Sequence, residues 1–349
     1  MSTQEKTRNY FELIPEDGKF YKVNFHCHTD ISDGKMTCEQ IKERYKSLGY
    51  SAVCFTDHEL LVSHSELCDD SFIALHGYEA CIKYRLDMSS GYFMPLYHFN
   101  FIAKSQDNLI MPKFFRNHPS TFGNSKKLRE NATNYSELVE RTEYETEWLN
   151  KYIQGVVDGG FLVNYNHPQW SLQTREDYVH LKNIHSIEVI NGACSYLNDN
   201  TSLHYEQMLR AGMKVCPTAG DDNHSVSDVG NAWTMLKATE LSYSALIEAY
   251  EKGYCYASEG PEIYSLVMID DKIKIKTSPA AVIVLLGEGR YRQSVASKNE
   301  TYTEAEFDYI PDKLGSYFRI EVRDRFGYKA YSNAYFIDEI EIRKENGQV

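Results

Sequence analysis

No run of about 18 apolar residues occurs in the 349-residue chain, and residues 1–10 are polar, so neither a membrane-spanning helix nor a signal peptide is expected. The compartment this implies is the cytoplasm. Low-complexity tracts are also absent, and with 42% hydrophobic and 25% charged residues the composition is that of an ordinary globular protein. The cysteines at 27, 38, 54, 68, 81, 194, 216 and 255 never fall into C-x-x-C spacing. Neither a zinc ribbon nor a disulfide framework is indicated, and the cysteines read as mostly buried thiols. Positive charge is in deficit: 37 Lys and Arg against 50 Asp and Glu leave a net charge of −13. Such a field repels polyanions and argues against a groove for long DNA or RNA, while a small phosphorylated substrate stays compatible where bound cations reverse the sign locally. Neither a G-x-S-x-G elbow nor a P-loop is apparent, which disfavours covalent serine hydrolysis and nucleotide-driven chemistry.

What is present is a repeated plan of amphipathic helix, glycine, short apolar strand, and then a cluster of His, Asp or Asn. IKERYKSLG leads into YSAVCFTDH, KYIQGVVDGG into FLVNYNHP, and EQMLRAG into MKVCPTAGDDNH. Each glycine suits a helix C-cap, and each apolar run is short enough for a strand buried on both faces. Thr37 followed by Gln40 has capping-box spacing ahead of Ile41 and Tyr45. The strands read this way are FYKVNFHCH, SAVCFTDH, FIALHGYEA, YHFNFIAK, FLVNYNH, SIEVING and KVCPTAG. Seven strands mostly separated by helices predict an α/β fold with a parallel sheet closed as a TIM-like barrel. Two stretches depart from the plan. Residues 105–134 form a polar insertion with Pro112, Pro119 and Gly123, read as a mobile lid or a disordered loop. Beyond Gly260-Pro261 the apolar period becomes two, as at Ile273 and Ile275 or at Phe318, Ile320 and Val322. That predicts a barrel domain over 1–260 and a small antiparallel β domain over 261–349.

Barrel enzymes carry their reacting groups at the C-terminal ends of the strands, and here those positions hold metal-ligand residue types. His26 and His28 lie two apart on one strand face, with Asp33 in the turn beyond; His58, Glu79, His98, His167, Asp222 and His224 belong to later strands. One His-x-His is weak evidence. Six histidines and three acids at one end of one architecture are not, and nine ligands exceed what one ion accepts, so two or three divalent ions are expected. Imidazole and carboxylate donors without thiolate favour zinc, manganese or iron. Asp57 and Asp221 are better placed to orient neighbouring groups than to ligate, and Asp30 is an alternative to Asp33. The remaining histidines, His64, His76, His118, His180, His185 and His204, read as ordinary core or loop residues.

The strings FHCHTDISDG, FTDHE, GYEA, YHFNFIA, NYNHP and AGDDNH, over roughly residues 20–260, resemble the PHP (polymerase and histidinol phosphatase) superfamily. That resemblance implies a distorted seven-stranded (β/α)7 barrel, a two- or three-metal site, and phosphoester hydrolysis. It also implies a layout: His26, His28, Glu79 and Asp222 around one ion; Glu79 bridging to a second ion held with His98 and His167; and Asp33, His58 and His224 around a third. Asp33, His58, Glu79 and His224 are the candidate catalytic residues among them. The segments GNAWTML, GYCYASEGP and IEVRDRFGYKAYSNAYFI look like a branch that includes carbaryl-type carbamate hydrolases with a small C-terminal β domain.

For substrate contacts, Lys113 and Arg116, with Lys126, Lys127 and Arg129, form a basic group in the insertion that would grip phosphate oxygens or simply be solvated. Tyr165, Trp170 and Tyr196 would stack on a base or an aryl ring. The expected partner is thus a small phosphorylated molecule such as a nucleoside monophosphate, a sugar phosphate or a short oligonucleotide, with no long nucleic acid and no membrane. Hydrolysis of carbamate or carboxylic esters and a metal-stabilised binding role are the rival readings.

Overall fold

A computed structural model describes residues 10–83, 94–118, 121, 123–139, 143–194 and 202–345. After β1 (Tyr10–Glu12) the chain enters β2 (Lys19–Asn24), α1 (Cys38–Ser47), β3 (Ala52–Phe55), β4 (Ile73–Lys83) and β5 (Leu96–Ala103). Then follow α2 (Ser125–Glu130), α3 (Thr146–Asp158), β6 (Phe161–Tyr165), α4 (Arg175–Tyr178), β7 (Ser186–Asn191), α5 (Leu203–Arg210) and β8 (Cys216–Gly220). The Thr37 capping box opens α1 as its spacing predicts, with Ile41 and Tyr45 on the buried face. The seven expected strands are β2 to β8, neighbours in chain order within one large mixed sheet.

The sheet is not parallel throughout. β2–β3–β4 and β6–β7–β8 are parallel runs, but β5 lies antiparallel to both β4 and β6. An apolar run buried on both faces carries no mark of direction, so the sequence pattern reads equally well either way. The reversal puts the first residues of β5 at the same edge as the last residues of β4, with His98 paired to Cys81.

The strand ladder does not close into a barrel. Where β8 approaches β9 (Trp233–Ala238), the Thr234 hydroxyl accepts from the Ala219 amide and donates to the Ala219 carbonyl. Just past the strands, the Asp222 amide donates to the His26 carbonyl at 3.0 Å, which ties the end of β8 back to the end of β2. β9 and β10 (Cys255–Ser258), joined by α6 (Tyr243–Glu251), extend the sheet antiparallel from β2.

The remaining elements are β11 (Ile263–Ile269), β12 (Lys272–Ala280), β13 (Val282–Gly287), β14 (Arg292–Ala296), β15 (Tyr302–Asp308), α7 (Pro311–Leu314), β16 (Tyr317–Arg323), β17 (Lys329–Ser332), β18 (Tyr335–Phe336) and α8 (Ile337–Glu345). The period-two writing holds: Ile273 and Ile275 are buried between exposed Lys272, Lys274 and Lys276. β11, β12 and β15 form a second sheet with β1, while β17 pairs with β10 and so carries β13, β14, β16 and β18 onto the large sheet. Phe11, Leu13 and Ile14 pack into this C-terminal core. All eight cysteines are free thiols, six of them buried.

The described part of the 105–134 insertion is folded onto the body. Met111 and Phe114 are buried and bridge to Tyr135 and Leu138. Asn124 Nδ2 donates to the Asp30 carbonyl at 2.9 Å, and Asn134 Nδ2 to the Leu109 carbonyl at 2.9 Å. Polar side chains here satisfy backbone groups, which is why a hydrophilic stretch packs.

Candidate metal centre

The loops and strand ends at one edge of the β2–β8 arc bring together all nine of the candidate ligands. Glu79 stands at the middle, 3.2 Å from His26 Nε2, 3.3 Å from His28 Nε2, 3.2 Å from His58 Nδ1, 2.9 Å from His98 Nδ1 and 3.3 Å from His167 Nε2. It projects from within β4 rather than from a strand end, because β4 runs four residues past it alongside β5. Asp222 Oδ1 lies 3.2 Å from His26 Nε2 and 3.1 Å from His28 Nε2, and Oδ2 lies 3.8 Å from His167 Nε2. Asp33, nearer the opening, is 3.6 Å from His58 Nε2 and 3.4 Å from His224 Nε2. Four overlapping groups result, each with its ligand atoms within 4.8 Å of one another: His28–Asp33–His58–His224, His26–His28–Glu79, His26–His167–Asp222 and Glu79–His98–His167.

The donor set fits cations. His26 Nδ1 faces Glu188 Oε1 at 3.1 Å and His224 Nδ1 faces the Asp222 carbonyl at 2.9 Å; both partners are acceptors that hold a proton on Nδ1, so that an ion among the carboxylates would take the Nε2 lone pair. His167 Nδ1 and His28 Nδ1 are similarly held by Ser171 and Ser32 hydroxyls. The His26 and His28 Nε2 atoms lie 3.2 Å apart, a pair of lone pairs that one positive centre would satisfy.

The electrostatics show the same demand for positive charge. Burial pushes the His26 and His28 imidazoles down, but the adjoining carboxylates outweigh it, holding His26 well above the ordinary histidine value and His28 at about 10. Burial likewise raises Glu79, yet the imidazoles of His98, His26 and His58 bring it well below the usual carboxylate range. His58 is the exception, driven down to about 3 chiefly by burial. Backbone conformation adds to the picture: His167 and Asp222 hold φ of 24° and 50°, and Glu59, next to His58, holds 59°. For non-glycine residues such conformations cost on the order of 1–3 kcal/mol each and persist where surrounding contacts impose them.

Glu188 on β7 is a site residue the strand-end reading overlooks. It receives the His167 amide at 3.2 Å and Asn191 Nδ2 at 2.9 Å as well as facing His26. Its signal was a charged residue inside the apolar run SIEVI, a position that requires a buried partner. Gly220 makes room for it, since a Cβ there would lie 2.6 Å from His26 Cβ and 2.9 Å from Glu188 Oε1. Asn166, also overlooked, donates to Glu79 Oε1 at 2.8 Å.

Asp57 and Asp221 hold neighbouring groups, Asp57 reaching His28 through the Ser32 hydroxyl. Asp57 receives the Thr29 amide and the Thr29 and Ser32 hydroxyls at 2.8 Å, and Asp221 receives the amides of Gly230, Asn231 and Ala232. Asp30 is absent from the four ligand groups. Of the other histidines, His118 donates to the Cys81 carbonyl at 2.8 Å, and none of the six joins a ligand group.

A cleft of about 220 Å³ opens onto Asp33, His58, Glu79, His98, His167, Asp222 and His224, with Trp170, Leu96, Cys81 and Lys83 completing its lining. Lys113 and Arg116 are not brought to it. Lys113 pairs with Glu137, while the Arg116 guanidinium donates to the carbonyls of Arg129, Glu130 and Ala132 and to the Tyr135 hydroxyl. Arg129 is buried. Tyr165 is a core residue bonded to Gln173. Tyr196 lies outside the described residues.

Six imidazoles and three carboxylates gathered at the edge of a mixed α/β sheet, seven of them lining one cleft, form clusters that could hold metal ions. Residues 24–196 match the family model of the PHP domain. No curated protein matches the chain. Among solved structures it is similar to a two-domain protein from Bacteroides vulgatus containing a predicted PHP-like metal-dependent phosphoesterase (14% identity, TM-score 0.45, 95% of this chain and 99% of that one). It is also similar to a putative metal-dependent phosphoesterase from Bifidobacterium adolescentis (16%, TM-score 0.35, 60% and 89%) and to a lesion-specific endonuclease from Pyrococcus furiosus (14%, TM-score 0.39, 67% and 56%).

Proposed function

We propose that the protein is a metal-dependent phosphoesterase acting on a small phosphorylated molecule: a nucleoside monophosphate, a sugar phosphate or a short oligonucleotide. The observation that carries this is the convergence of five imidazoles on Glu79 beneath a single cleft. On this reading His26, His28, Asp33, His58, Glu79, His98, His167, Asp222 and His224 hold two or three divalent ions of zinc, manganese or iron. The β2–β8 arc is then an open, distorted version of the seven-stranded barrel within residues 1–260, and residues 261–349 form a β-rich unit, joined to it through the β10–β17 pairing and β1, that supplies no ligand.

Bound divalent ions would supply Lewis acidity and a hydroxide at neutral pH. The chain's own residues prepare the place for them. Glu188 and the Asp222 carbonyl fix the proton on Nδ1 of His26 and His224; Asn166 fixes the orientation of Glu79; Asp57 and Asp221 hold the loops that carry Asp33 and His224. Asp33 and His224, the most exposed of the nine, stand where a substrate enters.

Glu188 alters the charge balance of the centre. With Asp33, Glu79 and Asp222 it brings four carboxylates, so two divalent ions give neutrality and a third leaves a net positive site. A phosphate dianion gains from that positive charge; a neutral carbamate gains much less. Steady-state assays of metal-loaded protein on phosphate monoesters and diesters, naphthyl carbamates and aryl acetates test the reading. Higher kcat/KM on phosphate esters is the expected result. The reverse ranking would make it a carbamate or carboxylic ester hydrolase, and inactivity on the whole panel would leave a metal-stabilised binding protein.

A further inference from the structure

The C-terminal unit carries a second cavity, on the outer face of β13, β14 and β16. Side chains alternate along β13: Ile283 and Leu285 are buried in the core, whereas Val282, Val284 and Leu286 are half-buried and floor a cavity of about 430 Å³. Strand register decides what flanks this floor. Leu286 lies between Arg292 of β14 and Arg319 of β16, Val284 lies between Ser294 and Glu321, and Val282 is paired with Arg323. These five polar side chains line the cavity with the apolar strip. Arg319 and Arg323, four residues apart on one strand, stand roughly 13 Å apart at about 3.3 Å per residue. The floor therefore has two arginines at one end and a third at the other.

The three arginines are held differently. Arg319 is 2% exposed; its Nε and Nη2 reach Glu206 on α5 at 3.0 and 2.9 Å, and Nη2 lies 3.4 Å from the Ser202 hydroxyl. Its Nη1 is buried without a hydrogen-bond partner, the Glu321 carboxylate standing 3.5 Å away. A buried guanidinium N–H that lacks an acceptor is costly. Arg292 and Arg323 are exposed, and neither has an ion-pair partner among the described residues. In a chain of net charge −13, three arginines against Glu206 and Glu321 make this one cavity net positive. The metal centre is remote from it. One cross-strand row runs from Val23 of β2 through Thr234, Ala257, Tyr331 and Glu321 to Val284 of β13. Five strand spacings of about 4.8 Å put roughly 24 Å of sheet between β2 and β13.

We propose that this cavity binds a small organic dianion, its apolar body lying over Val282, Val284 and Leu286. One acidic group, a carboxylate or a phosphonate-type oxyanion, is held by Arg292 and the free Nη1 of Arg319, and the other by Arg323. Guanidinium forks match both kinds of oxyanion, and the volume falls in the range of small-molecule sites. The proposal is independent of the reaction at the metal centre.

Calorimetric titration of the full metal-loaded chain tests it, with octanedioate and hexane-1,6-diphosphonate as the dianions and octanoate and 1,8-octanediol as controls. Each dianion should bind about tenfold more tightly than octanoate, as for one charge-assisted contact, and the diol should bind weakest. Arg292→Met and Arg323→Met alter exposed, unpaired side chains and so leave the fold intact; each should weaken dianion binding about tenfold. Glu321→Gln should tighten it, because a carboxylate facing the ligand is removed. The tighter dianion identifies carboxylate or phosphonate as the better match. Binding that depends on Arg292 and Arg323 should persist after the metal is removed, in protein with an unchanged far-ultraviolet spectrum. Equal affinity for octanedioate and octanoate, binding indifferent to both arginine substitutions, no binding of either dianion, or binding that disappears with the metal would each overturn the proposal.

Discussion

Replacing Glu188 by glutamine tests how the centre is organised without touching a proposed ligand. The carboxylate faces three donors: the His26 imidazole at 3.1 Å, the His167 amide at 3.2 Å and the Asn191 amide group at 2.9 Å. A carboxylate accepts at both oxygens, whereas a glutamine has one oxygen and one NH2. If the glutamine oxygen turns to His26, its NH2 meets the His167 amide and Asn191, donor against donor. If it turns the other way, the NH2 meets His26 Nδ1 and draws the ring toward the tautomer whose Nε2 lone pair is lost. The first orientation weakens the support of the backbone-strained His167, and the second weakens His26 as a ligand. Loss of such an orienting partner costs about 10- to 100-fold in metal affinity, or about 1.4–2.7 kcal/mol. Chelator-competition titration of metal-free Glu188→Gln with zinc and manganese should show that loss, with the far-ultraviolet spectrum unchanged. Affinity equal to wild type would refute the argument that Glu188 sets the tautomer.

Two further outcomes follow from the same structure. His64, buried against Phe55 at a ring separation of 4.4 Å, is lowered by burial and then by His76 to about 4. Because its folded value lies below the unfolded one, stability is full above about pH 6.5 and falls as the pH drops toward 4, by about 3 kcal/mol in all. Urea denaturation of His64→Phe between pH 7 and 4.5 should show a shallower loss than wild type, and parallel curves would remove His64 as the cause. His58→Ala and Glu79→Ala should each lower both bound metal, by elemental analysis, and activity, Glu79→Ala more so because Glu79 joins two of the four ligand groups.

The parts of this molecule that were legible in its sequence are those written in local pattern. The seven strands, the Thr37 cap and the alternation at Ile273 and Ile275 depend on neighbouring residues alone, and seven of the nine candidate ligands follow from where those strands stop, whereas Glu79 lies inside β4 and His98 at the start of β5. Direction is not written locally, so the antiparallel β5 was missed. β9 and β10, WTMLKA and CYAS, gain their strand character from pairing with each other and with β2. Lys113 and Arg116 illustrate another limit: a basic residue in a polar stretch reads as a phosphate grip until its actual partners, Glu137 and a set of carbonyls, are visible. Glu188 is legible as a lone acid in SIEVI, but it lies in a strand interior, where the strand-end pattern carries no signal.

The central claim is a multinuclear metal centre, and the metal content of the purified protein tests it most directly. Elemental analysis after reconstitution with zinc, manganese or iron and removal of excess ion should give at least two equivalents per chain in protein that hydrolyses phosphate esters. One equivalent or fewer in fully active protein would contradict the account.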